Sequence, residues 1–164
     1  MRFSLRKGRC CEEDHAPPPV GPDSLCDGTF LARWYIALRL DEELERSRRY
    51  CRPLSLFVAA PKVLPGEELS PRAIEAVTAA IKKAARTTDL VGWLNESSFL
   101  IVMPETPQKD AAVAVKRWRD QMWLTSRDKG GQLWNVASFE VDPNQTAAQL
   151  LASLNTSSSN ESAA

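Results

Sequence analysis

The feature that most constrains this chain is a pair of apolar runs, Leu90-Val91-Gly92-Trp93-Leu94 and Phe99-Leu100-Ile101-Val102-Met103, separated by only four polar residues, Asn95-Glu96-Ser97-Ser98. Runs this short around so narrow a polar dip predict the two strands of a hairpin. Pro104 is expected to stop the second strand, because it has no N–H to give a ladder. Just upstream, Arg86-Thr87-Thr88-Asp89 places an oppositely charged pair where a helix would hand over to the first strand. A hairpin has one tip and one base, and chemistry-bearing residues fall at both.

The remaining elements follow from periodicity. Leu31, Trp34, Tyr35 and Leu38 fall at i, i+3, i+4 and i+7, which predicts a helix over 30–50 with those residues as its apolar face. Glu42 precedes Arg46 by four residues and Glu45 precedes Arg49 by four, the spacing of supporting ion pairs on an exposed helical end. Arg52-Pro53 ends that helix. Leu54 to Ala60 is a near-continuous apolar run, as in a strand buried on both faces, and Pro61 is expected to close it. After a loop through Pro65-Gly66-Glu67-Glu68, Ser70 is a candidate N-cap with Pro71 at the first helical position. The second helix, 71–86, carries Ile74, Val77, Thr78 and Ile81 on one face. A third, 107–124, carries Ala111, Ala114, Val115, Trp118 and Met122. A turn at Arg127-Asp128-Lys129-Gly130-Gly131, a strand over 133–141 and a short helix over 146–154 complete the pattern. The order α-β-α-β-β-α-β-α implies an α/β fold with helices covering a central sheet.

At 164 residues the chain has room for one domain and its tails. Residues 1–22, with Pro17, Pro18, Pro19 and Pro22, read as a flexible tail, 23–154 as the domain, and 155–164 as a disordered end by composition. Lys+Arg and Asp+Glu are 21 each, so net charge offers no argument for nucleic acid. The cluster Arg46, Arg48, Arg49, Arg52 is interleaved with acids and reads as a solvated helix face. No apolar run approaches the ~20 residues of a membrane span, and no apolar stretch follows the basic start, so a cytoplasmic location is expected. Cys10, Cys11, Cys26 and Cys51 match no zinc spacing, and Cys10-Cys11 near His15 read as solvent-exposed thiols.

Two stretches in one register resemble the diguanylate cyclase, or GGDEF, family. One is Glu43-Leu44-Glu45-Arg46-Ser47-Arg48-Arg49-Tyr50-Cys51-Arg52-Pro53-Leu54-Ser55-Leu56; the other runs from Arg86-Thr87-Thr88-Asp89 through Asn95-Glu96-Ser97-Ser98-Phe99 to Pro104-Glu105-Thr106. The resemblance implies a central, mostly antiparallel sheet flanked by helices with a ferredoxin-like core, and a guanine nucleotide as ligand.

It also implies where catalysis is lost. Active relatives carry Gly-Gly-Asp/Glu-Glu-Phe at the hairpin, and those places are Asn95, Glu96, Ser97, Ser98 and Phe99 here. Side chains obstruct close backbone approach to phosphate, and serines cannot replace carboxylates at Mg²⁺. Glu96 sits one residue away, a shift that in a strand points a side chain to the other face. The second metal carboxylate of the family corresponds to Ala60, followed by Pro61 and Lys62. No Asn lies between Pro61 and Arg86 to contact guanine, and the family's Gly-Asp corresponds to Ser70-Pro71. An inactive domain that holds no Mg²⁺ is therefore expected.

The family's inhibitory-site pattern is retained. An Arg-x-x-Asp before the hairpin, with an Arg on the next helix, binds cyclic di-GMP in relatives; by resemblance these are Arg86, Asp89 and Arg117. The chemistry suits the residue types: Arg offers a planar fork to phosphate oxygens or a guanine edge, and a carboxylate accepts from guanine N1–H and N2–H₂. Two readings follow, a cyclic di-GMP receptor, and a nucleotide-independent module for protein interaction or homodimerisation. Trp93 and Trp123, if exposed, are candidate contact anchors for the second. A structural ion pair between Arg86 and Asp89 is the plain alternative to a ligand site.

Overall fold

A computed structural model describes residues 30–62, 70–128, 133–142 and 144–160. The tail over 1–22, Cys10, Cys11, His15, Cys26, the loop through Pro65-Gly66-Glu67-Glu68 and Lys129-Gly130-Gly131 lie outside them. The elements are β1 (Phe30–Leu31), α1 (Arg33–Tyr50), β2 (Leu54–Lys62), α2 (Pro71–Ala84), β3 (Leu90–Trp93), β4 (Phe99–Pro104), α3 (Gln108–Asp128), β5 (Leu133–Glu140) and α4 (Ala147–Asn160).

The strands form one sheet in the order β1-β3-β4-β2-β5. Every pairing is antiparallel except β1 with β3, so the sheet is mostly antiparallel, as the resemblance implies. Both faces are covered, which is why β2 and β4 are apolar at nearly every position. Phe57, Ala59, Val91, Trp93, Phe99, Ile101 and Met103 point to the layer that contains Val77, Ile81, Val115 and Trp118 of α2 and α3. Alternate residues Leu54, Leu56, Val58, Leu100 and Val102 meet Ile36, Leu40 and Leu44 of α1 and Leu150 and Leu154 of α4.

The apolar faces read for α2 and α3 are buried as expected; Ile74 alone among them is only partly so. The face read for α1 is not. Leu31 belongs to β1, and Trp34 and Leu38 are 61% and 50% exposed. The buried stripe is Ile36, Leu40, Glu43 and Leu44, at i, i+4, i+7 and i+8. Glu43 tolerates burial because Arg46 donates to it at 2.9 Å. The expected Glu42–Arg46 and Glu45–Arg49 pairs are replaced by i,i+3 pairs, Arg39–Glu42, Arg46–Glu43 and Arg48–Glu45. Arg52 pairs with Glu105, so Arg46, Arg48 and Arg52 of the basic cluster each have an acidic partner.

β1 is two residues long and seats Phe30 and Leu31 beside Val91 and Gly92. A Cβ on Gly92 would meet the Leu31 carbonyl oxygen at 2.6 Å, so the close approach of β1 requires this glycine. Pro61 lies inside β2, opposite Trp134, beyond the last pairing of β2 with β4 at Ala59↔Phe99. With a neighbour on one side only, β2 tolerates a residue that has no N–H. Ser70 occupies the N-cap position of α2 with Pro71 following, but its side chain makes no capping bond. α4 opens on a reciprocal capping box, Thr146 with Gln149, at 3.0 and 3.3 Å. It runs to Asn160, past residue 154 where the periodicity ends, so the stretch 155–160 read as tail is helical. Among the described residues no helix is long and apolar enough to cross a membrane.

Candidate functional site

The base and the tip of the hairpin lie at opposite ends of β3. At the base, α2 ends at Ala84, whose carbonyl accepts from two residues of α3, Arg117 Nη2 at 3.3 Å and Trp118 Nε1 at 3.2 Å. These bonds satisfy an end carbonyl of α2 and fix α3 beside the turn that follows. That turn is closed twice: Asp89 N–H donates to the Arg86 carbonyl at 3.1 Å, and Arg86 N–H donates to Asp89 Oδ2 at 2.8 Å. Arg86, Thr87 and Thr88 are exposed and Asp89 is half-buried.

The Arg-x-x-Asp is thus joined through the backbone of Arg86 rather than through its guanidinium. Among the described residues neither Arg86 nor Arg117 has a carboxylate within ion-pair distance. Partial burial pushes the Asp89 carboxyl above its ordinary value, opposed by the Arg86 backbone N–H and then by the Arg86 and Arg117 guanidiniums. The fold therefore gathers Arg86, Asp89 and Arg117 at one corner, with one carboxylate oxygen used, both arginines exposed, and Arg117 giving one N–H bond to Ala84.

The tip is arranged differently. Leu94 N–H donates to the Ser98 carbonyl at 2.9 Å, and Asn95 Oδ1 accepts the amides of Ser97 at 3.0 Å and Ser98 at 2.9 Å. Asn95 Nδ2 donates to Asn155 Oδ1 at 3.2 Å, which ties the loop to α4. Ser98 is 2% exposed, Phe99 is fully buried, and Glu96 projects into solvent. Because 94–98 is a loop, the strand-register argument does not govern Glu96; its exposure comes from the turn. Ala60 lies in β2 opposite Asn135. Ala60 offers only a methyl, Ser97 and Ser98 offer hydroxyls, the Asn95 carboxamide is already in use and the Glu96 carboxylate is exposed, which does not fit a Mg²⁺ site. Among the described residues no three His, Cys, Asp or Glu side chains converge to hold a metal.

Of the two tryptophans considered as anchors, Trp93 is buried against Phe99 at a 4.5 Å ring separation, and Trp123 is 53% exposed. Two contributors were not read from the sequence: the Ala84 carbonyl, which has no side-chain signal, and Asn155, which lies in a stretch read as tail.

With this geometry established, likeness to solved structures is informative. Scanned against protein-family models and against curated proteins, the chain matches none. Solved structures match well. The GGDEF domain of DgcB from Caulobacter crescentus, in complex with c-di-GMP, superposes with a TM-score of 0.67 at 14% identity, covering 82% of this chain and 87% of that one. The fold is that of a GGDEF domain. The diguanylate cyclase SiaD from Pseudomonas aeruginosa, in complex with its activator SiaC, gives 0.68 at 22% identity over 78% of this chain; the match spans only 53% of SiaD. The active GGEEF domain of a diguanylate cyclase from Vibrio cholerae gives 0.57 at 13% identity, over 76% of this chain and 90% of that one. Within that fold, Asn95 to Ser98 form the turn of the β3–β4 hairpin, and Arg86 and Asp89 stand at the head of β3.

Proposed function

We propose that this chain is a catalytically inactive GGDEF-type domain that acts as a cyclic di-GMP receptor through Arg86, Asp89 and Arg117. One observation carries the reading: Arg86 and Asp89 are joined by a backbone N–H, so neither guanidinium at the corner is spent on an ion pair with a described residue. A structural salt bridge would have consumed the groups a ligand needs. Here Asp89 is held in place with an oxygen to spare for guanine N1–H and N2–H₂, and the Arg86 fork and the remaining N–H donors of Arg117 are available to phosphate oxygens or a base face. The c-di-GMP complex of the DgcB GGDEF domain supports the ligand class.

Inactivity is supported by the tip. Asn95 Oδ1 takes the Ser97 and Ser98 amides that would otherwise face a phosphate, and Ala60, Ser97 and Ser98 supply no carboxylate for a metal. Phosphoryl transfer without its charge-neutralising metals loses most of its acceleration. Incubation with GTP and Mg²⁺ is expected to give no cyclic di-GMP, and measurable turnover would overturn this half of the reading.

Isothermal titration with cyclic di-GMP tests the receptor half. Each charge-assisted bond contributes roughly 1.5–3 kcal/mol, so Arg86→Ala is expected to weaken binding at least about tenfold. No heat with the wild type, or equal affinities for the two proteins, removes the receptor reading and leaves the nucleotide-independent interaction module.

A further inference from the structure

The outward face of α3 carries a pattern that the ligand site does not use. Opposite the buried stripe of Ala111, Ala114, Val115, Trp118 and Met122 lies a second stripe, Val113, Arg117, Asp120 and Leu124. Its spacing is i, i+4, i+7, i+11, one line along a helix. Val113 is 70% exposed and Leu124 52% exposed, large apolar side chains with no covering element among the described residues. Arg117 and Asp120 are close enough in sequence to pair along the helix, yet no ion pair joins them. Arg117 gives one bond, to the Ala84 carbonyl, and keeps its other N–H donors.

We propose that this stripe is a homodimer contact in which two copies of α3 pack antiparallel about a two-fold axis midway between residues 118 and 119. The intervals four, three, four read the same in either direction, so reversing the helix lays the stripe on itself. In a two-fold contact residue i meets residue j and j meets i. Val113 then meets Leu124 of the second copy, and Arg117 meets Asp120, each twice. Both charged positions of the stripe, Arg117 and Asp120, are then matched by their opposite.

No neighbouring arrangement does this. A parallel pair sets Arg117 on Arg117 and Asp120 on Asp120. Sliding the antiparallel pair by one turn sets Val113 on Asp120 and Arg117 on Lys116 in one direction, and Arg117 on Leu124 in the other. Like charges or a charge against an apolar side chain oppose each alternative. The central contact is short, about 16 Å from Val113 to Leu124 at 1.5 Å per residue, so it falls at the small end of specific interfaces and a reversible dimer is expected. The contact needs no nucleotide, and its failure would leave the receptor reading untouched. Arg117 belongs to both, so ligand and second copy would draw on the same guanidinium.

Sedimentation equilibrium of the full chain without nucleotide tests this. The wild type is expected to pass from monomer to dimer as concentration rises through the micromolar range. Asp120→Arg sets Arg on Arg at both central pairs, and dimerisation should weaken at least about tenfold, the cost of losing a close charge pair and gaining a repulsive one. The double variant Arg117→Asp with Asp120→Arg exchanges the charges and should restore the dimer, which loss of folding cannot imitate. Val113→Asp, on an exposed position outside the charge pairs, should also give a monomer. A wild type that stays monomeric, an Asp120→Arg variant that dimerises unchanged, or a folded charge-exchanged variant that remains monomeric would each overturn the contact.

Discussion

The base and the tip of the β3–β4 hairpin use the same device and end in different states. Each is a turn closed by a side-chain oxygen that accepts backbone N–H: Asp89 Oδ2 from Arg86 at the base, Asn95 Oδ1 from Ser97 and Ser98 at the tip. At the tip the acceptor is neutral, both of its functional atoms are engaged within the chain, and the adjoining Ser98 and Phe99 are buried. At the base the acceptor is ionisable, one oxygen is spare, and two guanidiniums flank it without ion-pair partners among the described residues. What separates a structural turn from a candidate binding corner is therefore unspent hydrogen-bonding capacity.

The sharpest break of this comparison is Asn95→Ala. It strips the acceptor from the Ser97 and Ser98 amides and the bond to Asn155 at once. Leaving buried polar groups unpaired costs ~1–3 kcal/mol each, so a loss of about 2–4 kcal/mol is expected in a denaturant titration. Cyclic di-GMP affinity of the protein that remains folded should be unchanged. If Asn95→Ala left stability intact and abolished binding, the roles assigned to tip and base would have to be exchanged.

Asp89→Asn should produce the reverse split with a smaller effect. The amide oxygen can still accept the Arg86 N–H, so the turn survives, while the carboxylate proposed to read guanine is gone. Ligand affinity is expected to fall about tenfold or more, at roughly 1.5–3 kcal/mol for a charge-assisted bond. Stability at neutral pH should be equal or slightly higher, because an ionised Asp89 is penalised by its partial burial. A variant that binds normally, or one that unfolds, would make Asp89 a structural residue.

Much of this comparison was legible in the sequence. The hairpin, its two ends and the buried faces of α2 and α3 follow from period and composition because the sheet buries those residues whole. Reading α1 failed for a definite reason. Its residues offer two apolar stripes, Trp34 with Leu38 and Ile36 with Leu40 and Leu44, and only the position of the sheet chooses between them. The aromatic pair Trp34–Tyr35 satisfies itself at a ring separation of 5.3 Å on the outside. β1 was missed because two residues carry no period, and its presence is explained only by the cleft that Gly92 leaves. The closed state of the tip was illegible because Asn95 could equally have faced a ligand. Its partner Asn155 lies 60 residues away on α4.

The subtlest difference between the two ends is in their response to pH. The tip has no titrating group in its hydrogen-bond network, so its contribution to stability should be level across the acid range. At the base, Asp89 has a folded-state value above the ordinary 3.8. A carboxyl raised on folding binds its proton more tightly in the native state, so between the unfolded and folded values stability declines as pH rises. Below both values the penalty is absent, and above both it is full. Guanine recognition runs the other way, because only the ionised carboxylate accepts from both N1–H and N2–H₂. Acidification through the raised value should therefore weaken cyclic di-GMP binding while slightly relieving the strain of burying Asp89. Titrations repeated at falling pH are expected to show affinity decreasing for the wild type and staying flat for Asp89→Asn. A wild-type affinity independent of pH over that range would mean that Asp89 does not touch the base, leaving Arg86 and Arg117 to hold phosphate alone.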